Sequence, residues 1–244
     1  MKIVLDYHTH TIASAHAYST VMEMARAASE RGLEMLGITD HAPALPDSSD
    51  KFHFLGYHTL PSTLYNVRML YGAELNILDH EGHLDLPEDI LRTMDICIAS
   101  YHTVCTKPGL KEENTRAYLK AMENPYINVI GHPEDGNIPV DFEMLVCMAK
   151  KNNIMIEVNN SSLKSADYRI NTRENLTKIL RLCEKNEVYV CVGSDAHFAD
   201  AVGGFDEASA LLDELQFPEE LVANSSVERF MELLEKRRRM YLGN

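Results

Sequence analysis

The 244-residue sequence contains no long uninterrupted run of apolar residues. No stretch approaches the roughly 18 apolar residues that a membrane-spanning helix needs, and Asp6 and His8 interrupt the region where a signal peptide would be apolar. Cysteine is sparse as well: the five residues are odd in number and form no closely spaced pair, which disfavours a disulfide framework and favours a reducing compartment. We therefore expect a cytoplasmic protein without a membrane anchor.

Positive charge is also in short supply. Lys and Arg together number 23 against 37 Asp and Glu, which gives a formal net charge of -14. Proteins that bind nucleic acids through a basic surface need clustered Lys and Arg, so this charge disfavours polynucleotide binding. Bound divalent cations would offset part of the negative charge. The composition leaves the oligomeric state open.

No Pro-, Gly- or Ser-rich linker divides the chain, so residues 1–244 are predicted to form a single domain. Short apolar segments alternate with longer helical patterns, as in βαβ units around a parallel sheet. Seven such units fit an αβ barrel that is one strand short of the common eight. The strands are predicted near residues 3–5, 34–39, 68–73, 95–101, 127–131, 154–158 and 188–193, and the clearest helices near residues 21–32, 112–123, 140–151, 173–185 and 227–239.

Residues that can bind metals follow six of the seven predicted strands. In αβ barrels the carboxyl ends of the strands form the active site, and no packing rule places ligands there. His8 and His10 alternate along an extended chain and so share one face. A lone His-x-His pair is a weak motif, but here the other strand ends supply further donors. The nine candidate ligands are His8, His10, His16, His41, Glu74, His102, His132, Asp195 and His197.

Nine donors suit three ions, because catalytic zinc typically takes three protein ligands and keeps one position open. The remaining histidines, His53, His58, His80 and His83, fall in predicted loops and are interpreted as non-ligands, with His80 and His83 the less certain pair. Asp40 should face away from His41, which favours a supporting or packing role. Lys164 and Arg169 follow the sixth strand and could bind an anionic substrate, although a solvated loop is an equal alternative.

These motifs together resemble the PHP (polymerase and histidinol phosphatase) family, and most closely its YcdX-like branch. The residues that carry the resemblance are Asp6-Tyr7-His8-Thr9-His10, His16, Thr39-Asp40-His41, Glu74, His102, Gly131-His132-Pro133 and Gly193-Ser194-Asp195-Ala196-His197.

The resemblance implies a distorted (β/α)7 TIM-like barrel with a trinuclear metal site. It assigns one ion to His8, His10, Glu74 and Asp195, a second to Glu74, His102 and His132, and a third to His16, His41 and His197. Members of the family use zinc, manganese or iron, and an imidazole-rich site suits zinc. The substrate would be set by the loops at 42–61 and 160–173.

We therefore expect metal-dependent hydrolysis of small phosphate monoesters, with a metal-bridging hydroxide as the nucleophile. No separate general acid is evident in the sequence. Phosphodiesterase or amidohydrolase-type chemistry is an alternative, although no lysine stands at a strand end to bridge two metals as a carbamate. A non-catalytic metal-binding protein is a further alternative, because a fold and a metal site do not specify a reaction.

Overall fold

The computed structural model describes residues 1–164 and 168–242. The predicted substrate loop at 160–173 therefore lies partly outside the described residues, as does the end of the predicted domain.

The predicted α/β barrel is confirmed. Seven parallel strands follow one another around a single sheet in chain order. A short antiparallel strand, β3, pairs with β4 and was not predicted. The strands are β1 (Leu5–Asp6), β2 (Met35–Ile38), β3 (Thr63–Leu64), β4 (Val67–Asn76), β5 (Ile96–Ser100), β6 (Val129–Ile130), β7 (Met155–Asn159) and β8 (Val190–Gly193).

The ring between β8 and β1 is completed in two ways. At the carboxyl ends, Asp195 N donates to His8 O at 3.0 Å and His10 N donates to Ala196 O at 2.8 Å. At the other end, the side chain of Asn224 fills the gap: Nδ2 donates to Leu5 O at 3.0 Å, and Oδ1 accepts from Val192 N at 2.9 Å. The first and last strands thereby become neighbours, which brings their metal-binding motifs together.

Helices surround the sheet. Thr20 caps α1 in a capping box with Glu23, as Ser/Thr-x-x-Glu sequences favour. The predicted loop at 42–61 contains α2 and a turn of 3-10 helix over Gly56–Thr59, which are too short for their periodicity to be recognised. The helices are α1 (Val21–Glu30), α2 (Lys51–Leu55), α3 (Glu88–Leu91), α4 (Lys111–Ala121), α5 (Phe142–Asn152), α6 (Asn160–Lys164), α7 (Thr172–Asn186), α8 (Asp206–Glu214) and α9 (Val227–Leu242).

The last helix, α9, plugs the amino-terminal end of the barrel. Phe230 and Leu234 on this helix join the barrel-interior cluster that includes Leu5 and Met155. Arg237 is fully buried and donates to four backbone carbonyls, those of Met122, Asn124, Ile127 and Asn152. The apolar face of α9 thus packs on its own barrel. This helix therefore fills the amino-terminal end of the barrel, opposite the strand ends where the predicted ligands lie.

Candidate metal centre

His8 and His10 lie just beyond β1 and point into the mouth of the barrel. Both side chains are fully buried, and their Nε2 atoms have no hydrogen-bond partner among the described residues. These two atoms lie 3.5 and 3.6 Å from Oε2 of Glu74. A buried polar atom without a partner costs free energy, and a divalent cation between these groups would satisfy all three.

Glu74, near the end of β4, lies at the centre of the cluster. Besides the first two histidines, it is approached by His41 Nδ1 at 2.7 Å, His132 Nε2 at 2.9 Å and His102 Nε2 at 3.3 Å. Burial alone would raise the pKa of this carboxyl, but the surrounding imidazoles hold it well below its ordinary value. Glu74 is therefore ionised, and each of its carboxylate oxygens faces imidazole nitrogens.

Asp195 and His197 complete the site from the segment after β8. Asp195 Oδ1 lies 3.2 Å from His10 Nε2 and 3.7 Å from His8 Nε2. The backbone of Asp195 has a φ of 54°, in the left-handed region that side chains other than glycine rarely adopt. Strain of this kind is often stored at functional sites. Here it occurs where the chain leaves β8 and continues parallel to the segment that carries His8 and His10.

His16 lies at the edge of the cluster and is more exposed than the other imidazoles. Its ring centroid is 4.4 Å from that of His197 and 5.1 Å from that of His41. His41 stands between two parts of the site, because its Nδ1 faces Glu74 while its Nε2 lies 3.4 Å from His197 Nε2. The structure therefore brings all nine predicted ligands to one end of the barrel.

Three groups of side chains offer ligand atoms that lie within 4.8 Å of one another: His8, His10 and Glu74; His41, Glu74 and His102; and His10, His41 and His197. The first group belongs to one of the predicted ion sets. In the other two groups His41 is shared, whereas the prediction assigned it to a single ion. The distribution of the nine residues over three ions remains a prediction. The unpartnered buried imidazole and carboxylate atoms fit divalent cations of the zinc type.

The sequence analysis missed Glu157, a fully buried residue of β7. Its Oε1 accepts from His8 Nδ1 at 2.6 Å and from the hydroxyl of Tyr7 at 2.8 Å. Its Oε2 accepts from His132 N at 2.8 Å and from Asn159 Nδ2 at 3.1 Å. Although burial lowers the pKa of His8, the carboxylates of Glu157, Glu74 and Asp195 raise it well above its ordinary value. The hydrogen bond from Nδ1 to Glu157 fixes the ring so that Nε2 faces Glu74 and Asp195, as the orientation of a metal ligand requires.

Asn76 plays the same part for His102, whose Nδ1 donates to Asn76 Oδ1 at 2.7 Å. Asp40, in contrast, accepts hydrogen bonds from Thr11 and Ser14 and belongs to none of the three groups. This arrangement agrees with a supporting role for Asp40. Of the four histidines interpreted as non-ligands, none belongs to a group of potential ligands in the described part of the chain, including His80 and His83.

A cleft of about 700 Å³ opens above the cluster and is bordered by five of the predicted ligands: His16, His41, His102, Asp195 and His197. Lys164 and Arg169, the two predicted substrate-binding residues, also border it. Arg169 is buried, with Nη1 at 3.6 Å from Asp195 Oδ2 and 2.5 Å from Ser162 Oγ. Burial would lower the pKa of this guanidinium, but Asp195 holds it above its ordinary value. Two cationic side chains thus stand beside the cluster of candidate ligands.

The chain is similar along nearly its whole length to proteins named as probable phosphatases. A family model described as the PHP domain matches residues 6–217. A probable phosphatase of Clostridium novyi is 46% identical over 237 residues, which cover 97% of this chain and 96% of the relative. A probable phosphatase of Acetivibrio thermocellus is 45% identical over 238 residues, with 98% of each chain covered.

The fold also matches a solved structure. The crystal structure of a histidinol phosphate phosphatase from Lactococcus lactis, in complex with zinc, L-histidinol and phosphate, superposes with a TM-score of 0.61 at 16% identity. The match covers 88% of this chain and 94% of the other. At 16% identity this match supports the fold and not the function.

Among the described residues, no helix combines the length and the apolar character needed to cross a membrane.

Proposed function

The chain belongs to the PHP domain family, whose members include relatives named as phosphatases, and from this we propose that it hydrolyses small phosphate monoesters at a site that holds three divalent cations. The nine predicted ligands would bind these ions, and zinc is the favoured metal, as in the complex of the Lactococcus lactis enzyme. Manganese and iron are the alternatives.

One observation carries the proposal: buried, unpartnered imidazole nitrogens surround an ionised carboxylate, and the cluster opens into a cleft that also holds two cationic side chains. Metal ligands alone would suit a storage site. Cations placed beside them suit an anionic substrate, and a phosphate monoester carries about two negative charges at neutral pH.

The chain's own residues would bind and orient the substrate. Arg169 borders the cleft with its guanidinium fixed by Ser162 and Asp195, and it would take a phosphate oxygen there. Lys164 is exposed at the mouth and would contribute charge with less geometric constraint. When bound, divalent cations supply the Lewis acidity that activates a water molecule and offsets the charge of the phosphoryl oxygens.

The test is phosphate release from a panel of small phosphate mono- and diesters by protein reconstituted separately with zinc and with manganese, beside a chelator-stripped sample. We expect metal-dependent release from monoesters. His10→Ala should lower turnover at least a hundredfold, because it removes a ligand from the centre of the cluster. The matched control is His83→Ala, since His83 is exposed and pairs with Asp79 away from the cleft. It should retain full turnover.

Other results would redirect the assignment. Release from diesters alone would favour a phosphodiesterase. Stoichiometric metal binding without release from any ester would favour a metal-binding protein without turnover. Full turnover by His10→Ala would contradict the proposed site.

Arg169 can be tested separately from the metals. Arg169→Met keeps much of the length of the side chain and removes its charge, so we expect kcat/KM for monoesters to fall at least about tenfold, as loss of a charge-assisted hydrogen bond implies. The metal content measured after gel filtration should stay unchanged. Unchanged kcat/KM would remove Arg169 from the proposed substrate site.

A further inference from the structure

We propose that the leaving group of the natural substrate carries an aromatic ring, which binds against an apolar rim formed by Val104, Tyr168 and Phe198. This inference rests on the proposed phosphatase function and adds to it the chemical class of the alcohol that is released. The rim belongs to three different segments of the chain, which follow β5, α6 and β8.

The rim residues are large, apolar and unusually exposed. Val104 is 68% exposed, and Tyr168 and Phe198 are each 54% exposed. Single exposed apolar side chains are common on protein surfaces, but a group of them around one opening marks a site of interaction. All three border the same cleft as the metal cluster. The exposed apolar surface is therefore continuous with the proposed reaction site.

The two rings belong to residues that are adjacent in sequence to groups proposed to hold the phosphate. Phe198 follows the predicted ligand His197 in the chain. Tyr168 precedes Arg169, whose guanidinium carbon lies 5.1 Å from the centre of the Tyr168 ring. A substituent on a phosphate held between Arg169 and the candidate ligands would therefore occupy the cleft that both rings border.

The size and lining of the cleft suit a ring better than a small alcohol. Its volume of about 700 Å³ is in the range that accommodates complete small-molecule ligands, and a phosphate group fills only a small part of it. Leu45 and Ala201 add further apolar lining. The Arg169 guanidinium approaches the Tyr168 ring, but both rings remain about half exposed. Their exposed surface can pack against a substrate ring in offset or edge-to-face geometry.

The first experiment compares kcat/KM for 2-phenylethyl, 2-cyclohexylethyl and ethyl phosphate. All three esters release a primary alcohol, so differences in chemical reactivity are small and the comparison isolates binding of the substituent. We expect the wild-type protein to favour 2-phenylethyl over ethyl phosphate at least about tenfold, and over 2-cyclohexylethyl phosphate by severalfold, as ring packing predicts. Equal values for the phenyl and cyclohexyl esters would overturn the inference.

Phe198→Leu keeps an apolar side chain but removes the ring, and it should bring the phenyl-to-cyclohexyl ratio close to one. The matched control is Phe52→Leu, because Phe52 is 69% exposed on α2 and does not border the cleft. It should leave the ratio unchanged. A ratio that stays high in Phe198→Leu would contradict a role for this ring.

A second measurement needs no turnover. The chain contains no tryptophan, so Phe198→Trp places a single indole at the rim. Titration with the non-hydrolysable 2-phenylethylphosphonate should change its emission, whereas ethylphosphonate should have little effect. No change at saturating ligand would overturn the inference. Release of phosphate from ethyl phosphate without any aromatic preference would refute the rim alone, whereas no release from any ester would refute the proposed function.

Discussion

Replacement of Glu157 by Gln tests the orientation of His8 most directly. The substitution preserves the size and shape of a fully buried side chain but replaces one acceptor oxygen by an NH2 group that can only donate. Each carboxylate oxygen of Glu157 accepts two hydrogen bonds, from His8 and Tyr7 on one side and from His132 and Asn159 on the other. In either orientation of the amide introduced at position 157, its NH2 group therefore faces two groups that are themselves hydrogen-bond donors.

The two orientations have different consequences for His8. If the NH2 group faces the ring, Nδ1 must accept, and the proton moves to Nε2, which is the atom offered to a cation. If the amide oxygen faces the ring, His8 keeps its orientation, and the NH2 group opposes His132 N and Asn159 Nδ2 instead. An unsatisfied buried donor costs roughly 1–3 kcal/mol, and mutation of a residue that orients a metal ligand typically lowers metal affinity about 10- to 100-fold.

The assay is competition for zinc between the protein and a chromogenic chelator, combined with urea unfolding of the metal-free protein. We expect Glu157→Gln to bind zinc about 10- to 100-fold more weakly, with the free energy of unfolding lower by roughly 1–3 kcal/mol. Glu143→Gln is the control, because Glu143 is exposed on α5. Lower stability with zinc affinity within twofold of wild type would refute the orienting role and leave Glu157 a structural residue.

Three further predictions concern stability and reactivity. Arg237→Met removes a buried cation from four carbonyls, so the free energy of unfolding measured in urea should fall by about 3–5 kcal/mol. A decrease of less than about 1 kcal/mol would contradict the importance of Arg237 for the packing of α9 on the barrel. Thr20→Ala removes the side-chain cap of α1 and should cost about 1 kcal/mol in the same assay. Burial raises the pKa of the Cys183 thiol to about 12, so at pH 8 its reactive thiolate is scarce. A thiol reagent should therefore label the exposed Cys147 quickly and Cys183 only after unfolding, and equal rates would contradict this.

The strands were predictable because each is a short apolar run whose burial follows from composition. Met155–Asn159, for example, is buried throughout and lies on a predicted strand. The antiparallel β3 has only two residues, Thr63 and Leu64, and these are not buried. Its formation depends on the neighbouring β4 and not on its own sequence, so no local pattern could reveal it.

The convergence of the candidate ligands was predictable for a topological reason: parallel strands bring their carboxyl ends to the same end of the barrel. Glu157 was missed because it lies within an apolar strand, before the strand end. An acidic residue in such a strand was itself an indication of a buried hydrogen-bond network, since a buried carboxylate needs hydrogen-bonding partners. The identity of those partners could not be predicted, because His8 and Glu157 are 149 positions apart and meet only when the ring closes.

Ring closure and the candidate metal site use different atoms of the same residues. The hydrogen bonds that join the last strand to the first at the carboxyl end run through the backbone of His8, His10 and Ala196, whereas the imidazoles of the two histidines face Glu74 and Asp195. Alanine at position 10 keeps the backbone donor and removes only the ring. The other end of the ring is held by Asn224 and by the plug of α9, far from the ligands. Loss of turnover in His10→Ala can therefore be assigned to the metal site, because the bonds that close the barrel remain.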